Sequence, residues 1–176
     1  MDEQPLSLDF KEQPNPPPRP SRRDKAICRA AAEACLDGAI IAWAGKDYKP
    51  DDREEWINDL ASVIDLGDAY DAARDLERSH WKVNFELCEI LDGSWIWDAE
   101  DMAVRSWVAA NLIKPKFEIG AIVTTSRDRG EIVLVDEERA TYVIQTEKFL
   151  AENPDQVGRA GGYVIAFENV TLPKET

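Results

Sequence analysis

The apolar residues of this chain change their period at Pro115. Before it they recur every three or four positions, the spacing of one helix face; beyond it they alternate or run together, as strands do. A chain with the two patterns in separate blocks keeps its helices apart from its sheet, which is the α+β class. The predicted organisation is a Pro-rich arm over 1–20, an α-helical module of about five helices over 21–113, and a small antiparallel β-barrel over 114–176.

The arm ends in Pro14-Asn15-Pro16-Pro17-Pro18-Arg19-Pro20, which lacks backbone donors and reads as flexible and extended. Helical spacing starts with Ser21 and Asp24, a capping-box-like pair, and continues through Ile27, Ala31, Cys35 and Ile41 to about Ala44, with Gly45 as the stop. A second helix is expected after Pro50, with Trp56, Leu60, Val63 and Ile64 as its stripe and a break at Gly67. A third runs from Asp68 to about Ser79. Trp81, Phe85, Cys88 and Leu91 suggest a fourth before an Asp92-Gly93 turn. Trp95 and Trp97 then fall in a connecting segment, and Asp98 caps a fifth helix with Met102, Ala103, Trp107 and Ala110 inward.

Past Pro115 the strands are expected around Ile119–Thr124, Ile132–Val135, Ala140–Gln145, Tyr163–Phe167 and Val170–Leu172. Asp128-Arg129-Gly130 and Glu137-Glu138-Arg139 supply the first two turns, and a loop or short helix spans Lys148 to Gly162. Phe117, Ile119, Val123, Val133, Val135, Val143 and Ile165 are the expected interior. The succession Phe117 to Val123, Gly130 to Val135 and Thr141 to Ile144 resembles the SH3-like barrels. That resemblance covers the last third of the chain and implies a small barrel in a binding role, without naming a ligand.

Charge limits the partners. Thirty-five acidic against twenty-one basic side chains give a net charge of -14, a field that repels nucleic-acid backbones and anionic membranes. Residues 46–111 hold seventeen of the acids and seven of the bases, a net of -10, so the helical module carries the field. Helix caps account for some of these acids, and solvated faces for others. The remaining excess points to a basic protein surface such as the nucleic-acid groove of an enzyme, where carboxylates stand in for phosphates. The candidate partner-binding residues are Asp52, Glu55 and Asp59, then Asp65, Asp68, Asp71 and Asp75, with Trp95 and Trp97 as aromatic anchors. All six tryptophans lie in the helical module, and Trp56, Trp81 and Trp107 are expected in its core.

Motifs that identify a reaction are missing. The single histidine, His80, sits at an expected helix end, and no GxGxxG, GxxxxGK[ST] or HExxH occurs. Gly158, Gly161 and Gly162 precede a strand, so they do not form a phosphate cradle. No cofactor or metal is expected. Cys28, Cys35 and Cys88 form an odd set without a CxxC pair, which suits buried thiols in a reducing cytoplasm. No run approaches the ~18 apolar residues of a membrane helix. The sequence thus leads to a non-enzymatic acidic interaction protein, an inhibitor or regulator of the phage or mobile-element kind. The alternative is an adaptor or assembly protein that uses the barrel for contacts.

Overall fold

A computed structural model of the chain describes residues 16–65, 68–92, 94–126, 128–156, 159 and 161–173. Helices fill the N-terminal part and a four-stranded antiparallel sheet the C-terminal part. Helix α1 (Lys25–Cys35) passes through a π turn at Leu36–Ile40 into α2 (Ile41–Ala44), one continuous rod. Gly45 ends it with φ 54°, a conformation open to glycine at little steric cost. Helices α3 (Arg53–Val63), α4 (Ala69–Arg78), α5 (Phe85–Ile90) and α6 (Ser94–Asn111) follow, so the expected number of helical rods is present. The rod packs against α3 and α6. Its Ile27, Ala31, Ala32, Cys35, Leu36 and Ile40 meet Ile57, Leu60, Leu76, Leu87 and Ile96 in one buried cluster.

The local signals explain most helix ends. Asp68 accepts the backbone N–H groups of Tyr70 and Asp71 and so caps α4; Asn84 does the same for Leu87 at the start of α5. Two expectations fail here. Trp81 precedes α5 in non-helical chain, and Phe85, expected inward, is 78 % exposed, because the Asn84 cap delays the helix and rotates its faces. Helix α6 starts at Ser94, whose N–H bonds the Asp92 carboxylate, so Trp95 and Trp97 are helical and not in a connector. The earlier start turns Ile96, Ala99, Val104 and Val108 inward and leaves Met102 and Ala110 exposed. The expected stop at Gly67, Gly93 of the expected turn, and Gly158 lie outside the described residues, as do residues 1–15 of the arm.

Strands β1 (Ile122–Thr124), β2 (Arg129–Asp136), β3 (Thr141–Thr146) and β4 (Tyr163–Ala166) pair in sequence order. Helix α7 (Glu147–Glu152) bridges β3 and β4, with Thr146 as its cap. The chain then returns through a 3-10 turn at Phe167–Asn169, and an antiparallel bridge between Thr171 and Thr124 curls the sheet back on β1. Arg129 and Gly130, expected in a turn, already belong to β2, and Val170–Leu172 is reduced to that bridge.

The interior of the sheet matches the expected one in part. Val123, Ile132, Tyr142, Ile144 and Phe167 are buried, with Val104 and Val108 of α6 covering them. Val123 is buried as expected, and Phe117, Val135 and Ile165 pack half-buried against this cluster, whereas Val133 and Val143 are half-buried outside it and Ile119 is 65 % exposed. A bulge between Ile132 and Leu134 makes Val133 the extra residue, and a one-residue offset sends alternate side chains to the other face. Gly130 is fixed by closeness: a Cβ there would lie 2.4 Å from the Gln145 carbonyl oxygen.

Residues 16–20 do not hang free. The Trp107 indole N–H donates to the Pro17 carbonyl at 2.9 Å, and the Arg19 guanidinium donates to the carbonyls of Ala140 at 3.2 Å and Arg139 at 2.5 Å. This part of the arm is therefore a strap across α6 and the β2–β3 turn.

Candidate functional site

A groove of about 600 Å³ lined by chemically distinctive residues lies between α3, the turn after α2 and the segment that joins α4 to α5. Its α3 wall carries Asp52, Glu55, Trp56 and Asp59, spaced 3, 4 and 7 residues from the first and hence on one helix face. The facing wall holds Trp43 and Trp81. Trp43 and Trp81 are nearly parallel, 12° apart with centroids 6.4 Å distant, and Trp56 lies 4.4 Å from Trp81. Tyr48 packs edge-on to Trp56 at 5.3 Å. Trp56 and Trp81, expected in the core, pack against it but are half-buried and line the groove; Trp107 is likewise half-buried, under the Pro17 strap. Indoles carry one polar edge that must find an acceptor, which keeps them at the margin of the apolar cluster.

Those polar edges hold the groove in shape. The Trp81 N–H donates to Asp59 Oδ2 at 2.9 Å and the Trp43 N–H to Asn84 Oδ1 at 3.2 Å, the same oxygen that caps α5. Trp81 is delivered by the end of α4. There the backbone N–H of Trp81 donates to the Leu76 carbonyl at 3.2 Å and that of His80 to the Glu77 carbonyl at 3.0 Å, a Schellman closure with His80 at φ 68° in the usual glycine place.

The groove's charges fall on two sides. Lys82 is paired with Asp47 at 2.8 Å, and that ammonium holds the Asp47 carboxyl below the usual carboxylate range. Lys46 and Lys49 rise from the turn after α2. On α3, Asp52, Glu55 and Asp59 have no ion pair among the described residues, although Arg53 and Glu54 beside them are engaged outside the groove, with Asp37 and Arg29.

The other candidate residues are placed elsewhere. Asp65 follows α3 half-buried, with its charge acting on Cys28; Asp68 is used as a cap; Asp71 pairs with Arg74 at 3.0 Å and Asp75 with Arg78 at 2.5 Å. Trp95 turns inward, donating to the Ile90 carbonyl at 2.8 Å, and its ring lies so close to Gly38 that a Cβ there would meet it at 2.7 Å. Trp97 is 56 % exposed under the Arg22 guanidinium, 4.6 Å above its ring. The structure therefore gathers Asp52, Glu55 and Asp59 into one site and leaves Asp65, Asp68, Asp71, Asp75, Trp95 and Trp97 outside it. Sequence reasoning missed Trp43, Trp81 and Asn84 as neighbours of these acids in the groove; the spacing of Asp52, Glu55, Trp56 and Asp59 along one face was the signal available.

Among the described residues, the aromatic side chains of the sheet part form no comparable groove. Tyr142 and Phe167 pack tilted against each other in the sheet core with centroids 4.3 Å apart, and Phe149 meets Tyr163 edge-on at 5.4 Å. Among the described residues no group of His, Cys, Asp and Glu is arranged to hold a metal ion, and no helix is long and apolar enough to cross a membrane. Burial pushes the Cys35 thiol up to about 12 and raises that of Cys28, so neither offers a thiolate at neutral pH. No protein-family model, curated protein or solved structure matches the chain.

Proposed function

We propose that the protein is a non-enzymatic interaction protein whose helical part engages a basic protein surface, of the kind that binds nucleic acid. The observation that carries this reading is the wall formed by α3 and its N-cap: Asp52 and Glu55, which have no ion pair among the described residues, stand beside Trp56 on an aromatic groove. Acids that served only the fold would be capped or paired, as Asp68, Asp71 and Asp75 are. Carboxylates left to solvent next to indoles suit a cationic partner, because the charge steers encounter and the aromatic surface supplies the buried contact. An inhibitor of a host nucleic-acid enzyme, as a phage or mobile element would direct, fits this chemistry.

The second reading, an adaptor or assembly protein that makes its contacts through the barrel, draws on Ile119, Val164 and Leu172, apolar side chains exposed on that part. Salt dependence separates the two. The full chain is immobilised and basic nucleic-acid-binding proteins are captured at low salt and eluted along a salt gradient; the double variant Asp52→Lys, Glu55→Lys is run beside it. Capture that is lost with salt and lost in the variant, together with displacement of DNA or RNA from the captured protein, is the expected result. Association that survives both high salt and the charge reversal overturns it in favour of the adaptor.

A further inference from the structure

Within that reading, on which this inference rests, the groove itself selects one kind of side chain. We propose that it is a receptor for an arginine side chain presented by the basic partner.

The argument starts from what the groove offers. Its flat surfaces are indole rings, and a guanidinium is planar, delocalised and weakly hydrated, so it stacks on such rings where a compact ammonium does not. The chain itself shows this pairing twice, at Arg22 over Trp97 and at Arg19 over Trp107, 5.9 Å from the ring centroid. The indole donors of Trp43 and Trp81 are already used by Asn84 and Asp59, which removes two groups that would welcome an anion; beside the contacts the three indoles make with one another, the ring surface that lines the groove is left to meet a cation. Asp52 and Glu55, which have no ion pair among the described residues, then supply acceptors for the guanidinium fork. The cation nearest the indoles in sequence, Lys82, is neutralised by Asp47. A volume of about 600 Å³ exceeds one side chain and lies in the range of ligand sites, so the groove has room for the backbone that carries the arginine.

The test uses the full chain, labelled with ¹⁵N, and follows its indole N–H resonances during titration with three capped tripeptides: Gly-Arg-Gly, Gly-Lys-Gly and Gly-citrulline-Gly. The expected result is saturable movement of the Trp43, Trp56 and Trp81 signals with the arginine peptide, weaker binding of lysine, and weaker still of the uncharged citrulline. Glu55→Gln, a surface change that leaves the indole spectrum in place, is expected to weaken the arginine peptide by about tenfold through loss of one charge-assisted contact. Equal response to lysine, or unchanged affinity in Glu55→Gln, overturns the assignment. Silence of the groove indoles overturns it too, even if the chain still captures basic proteins in a salt-dependent manner; the broader reading then stands without the groove. Conversely, arginine-peptide binding in the groove with capture untouched by Asp52→Lys, Glu55→Lys overturns the claim that the basic partner presents the arginine, and the broader reading with it.

Discussion

The Trp81 indole N–H donates to Asp59 Oδ2 at 2.9 Å and thereby ties the segment before α5 to α3, twenty-two residues away in the chain. A part-buried donor deprived of its acceptor loses more than the bond itself, because its hydration is not fully restored. Asp59→Ala is expected to destabilise the protein by about 1–2 kcal/mol, whereas Asp59→Asn, which keeps an acceptor in reach, costs less. Urea unfolding of both variants checks this; equal losses would show that the bond does not shape the groove.

His80 supplies a second case, with the opposite sign. It occupies the left-handed position that closes α4, at φ 68°, where a side chain costs about 1–2 kcal/mol that glycine avoids. Glycine gives back part of this through the greater freedom of the unfolded chain. His80→Gly is therefore expected to raise stability by about 0.5–1 kcal/mol, and His80→Ala to change it little, in the same urea experiment.

How far the sequence reaches is clear at these two residues. That Asp68 starts a helix and Gly45 stops one follows from local chemistry, since each acts within a turn of its own position. Strand order was equally readable from the apolar runs and the glycines between them. The face of each strand was not, because Ile132-Val133-Leu134-Val135 is apolar at every position and the bulge at Val133 leaves no local mark. The site suffered the same limit. The charges of Asp52, Glu55 and Asp59 were visible, but Trp81 joins them only because α4 ends in a left-handed histidine, and that geometry depends on packing across the helical cluster.

Acid should weaken the fold by a route that names its residues. The Arg139 guanidinium, with burial opposing and Arg105 assisting, holds the Asp101 carboxyl below its usual range; Arg53 does so for Asp37, Lys82 for Asp47 and Arg29 for Glu54. Each of these folded-state values lies below that of the unfolded chain, about 4, so the native state binds fewer protons there. Their stabilisation is complete above about pH 5 and is lost as pH falls through the depressed values. Asp101 links α6 to the β2–β3 turn through Arg139, and exposed pairs of this type are worth about 1 kcal/mol or less. Asp101→Asn is expected to lower stability by that amount at pH 7 and to flatten the decline between pH 5 and pH 3, read from urea unfolding at each pH. An unchanged slope would assign the acid sensitivity to other groups.

Tyr142 gives the largest expected effect for the smallest change. It is fully buried in the sheet core, between Phe117 and Phe167, and its hydroxyl accepts the backbone N–H groups of Lys116 at 2.9 Å and Phe117 at 3.0 Å. Those two residues carry the chain from α6 into the sheet, so one side chain on β3 satisfies the donors of the crossing. Tyr142→Phe keeps the ring and removes only the oxygen, which strands both donors in part-buried surroundings. The expected loss is about 2–4 kcal/mol, from about 1–2 for each donor left unpaired. Hydrogen exchange distinguishes this cause from poorer packing: the amides of Lys116 and Phe117 should lose protection first, while those of Ile132 and Ile144 in the same core follow only the global change in stability. Protection falling equally at all four would place the effect in the core, and would deny the hydroxyl its role in joining helix to sheet.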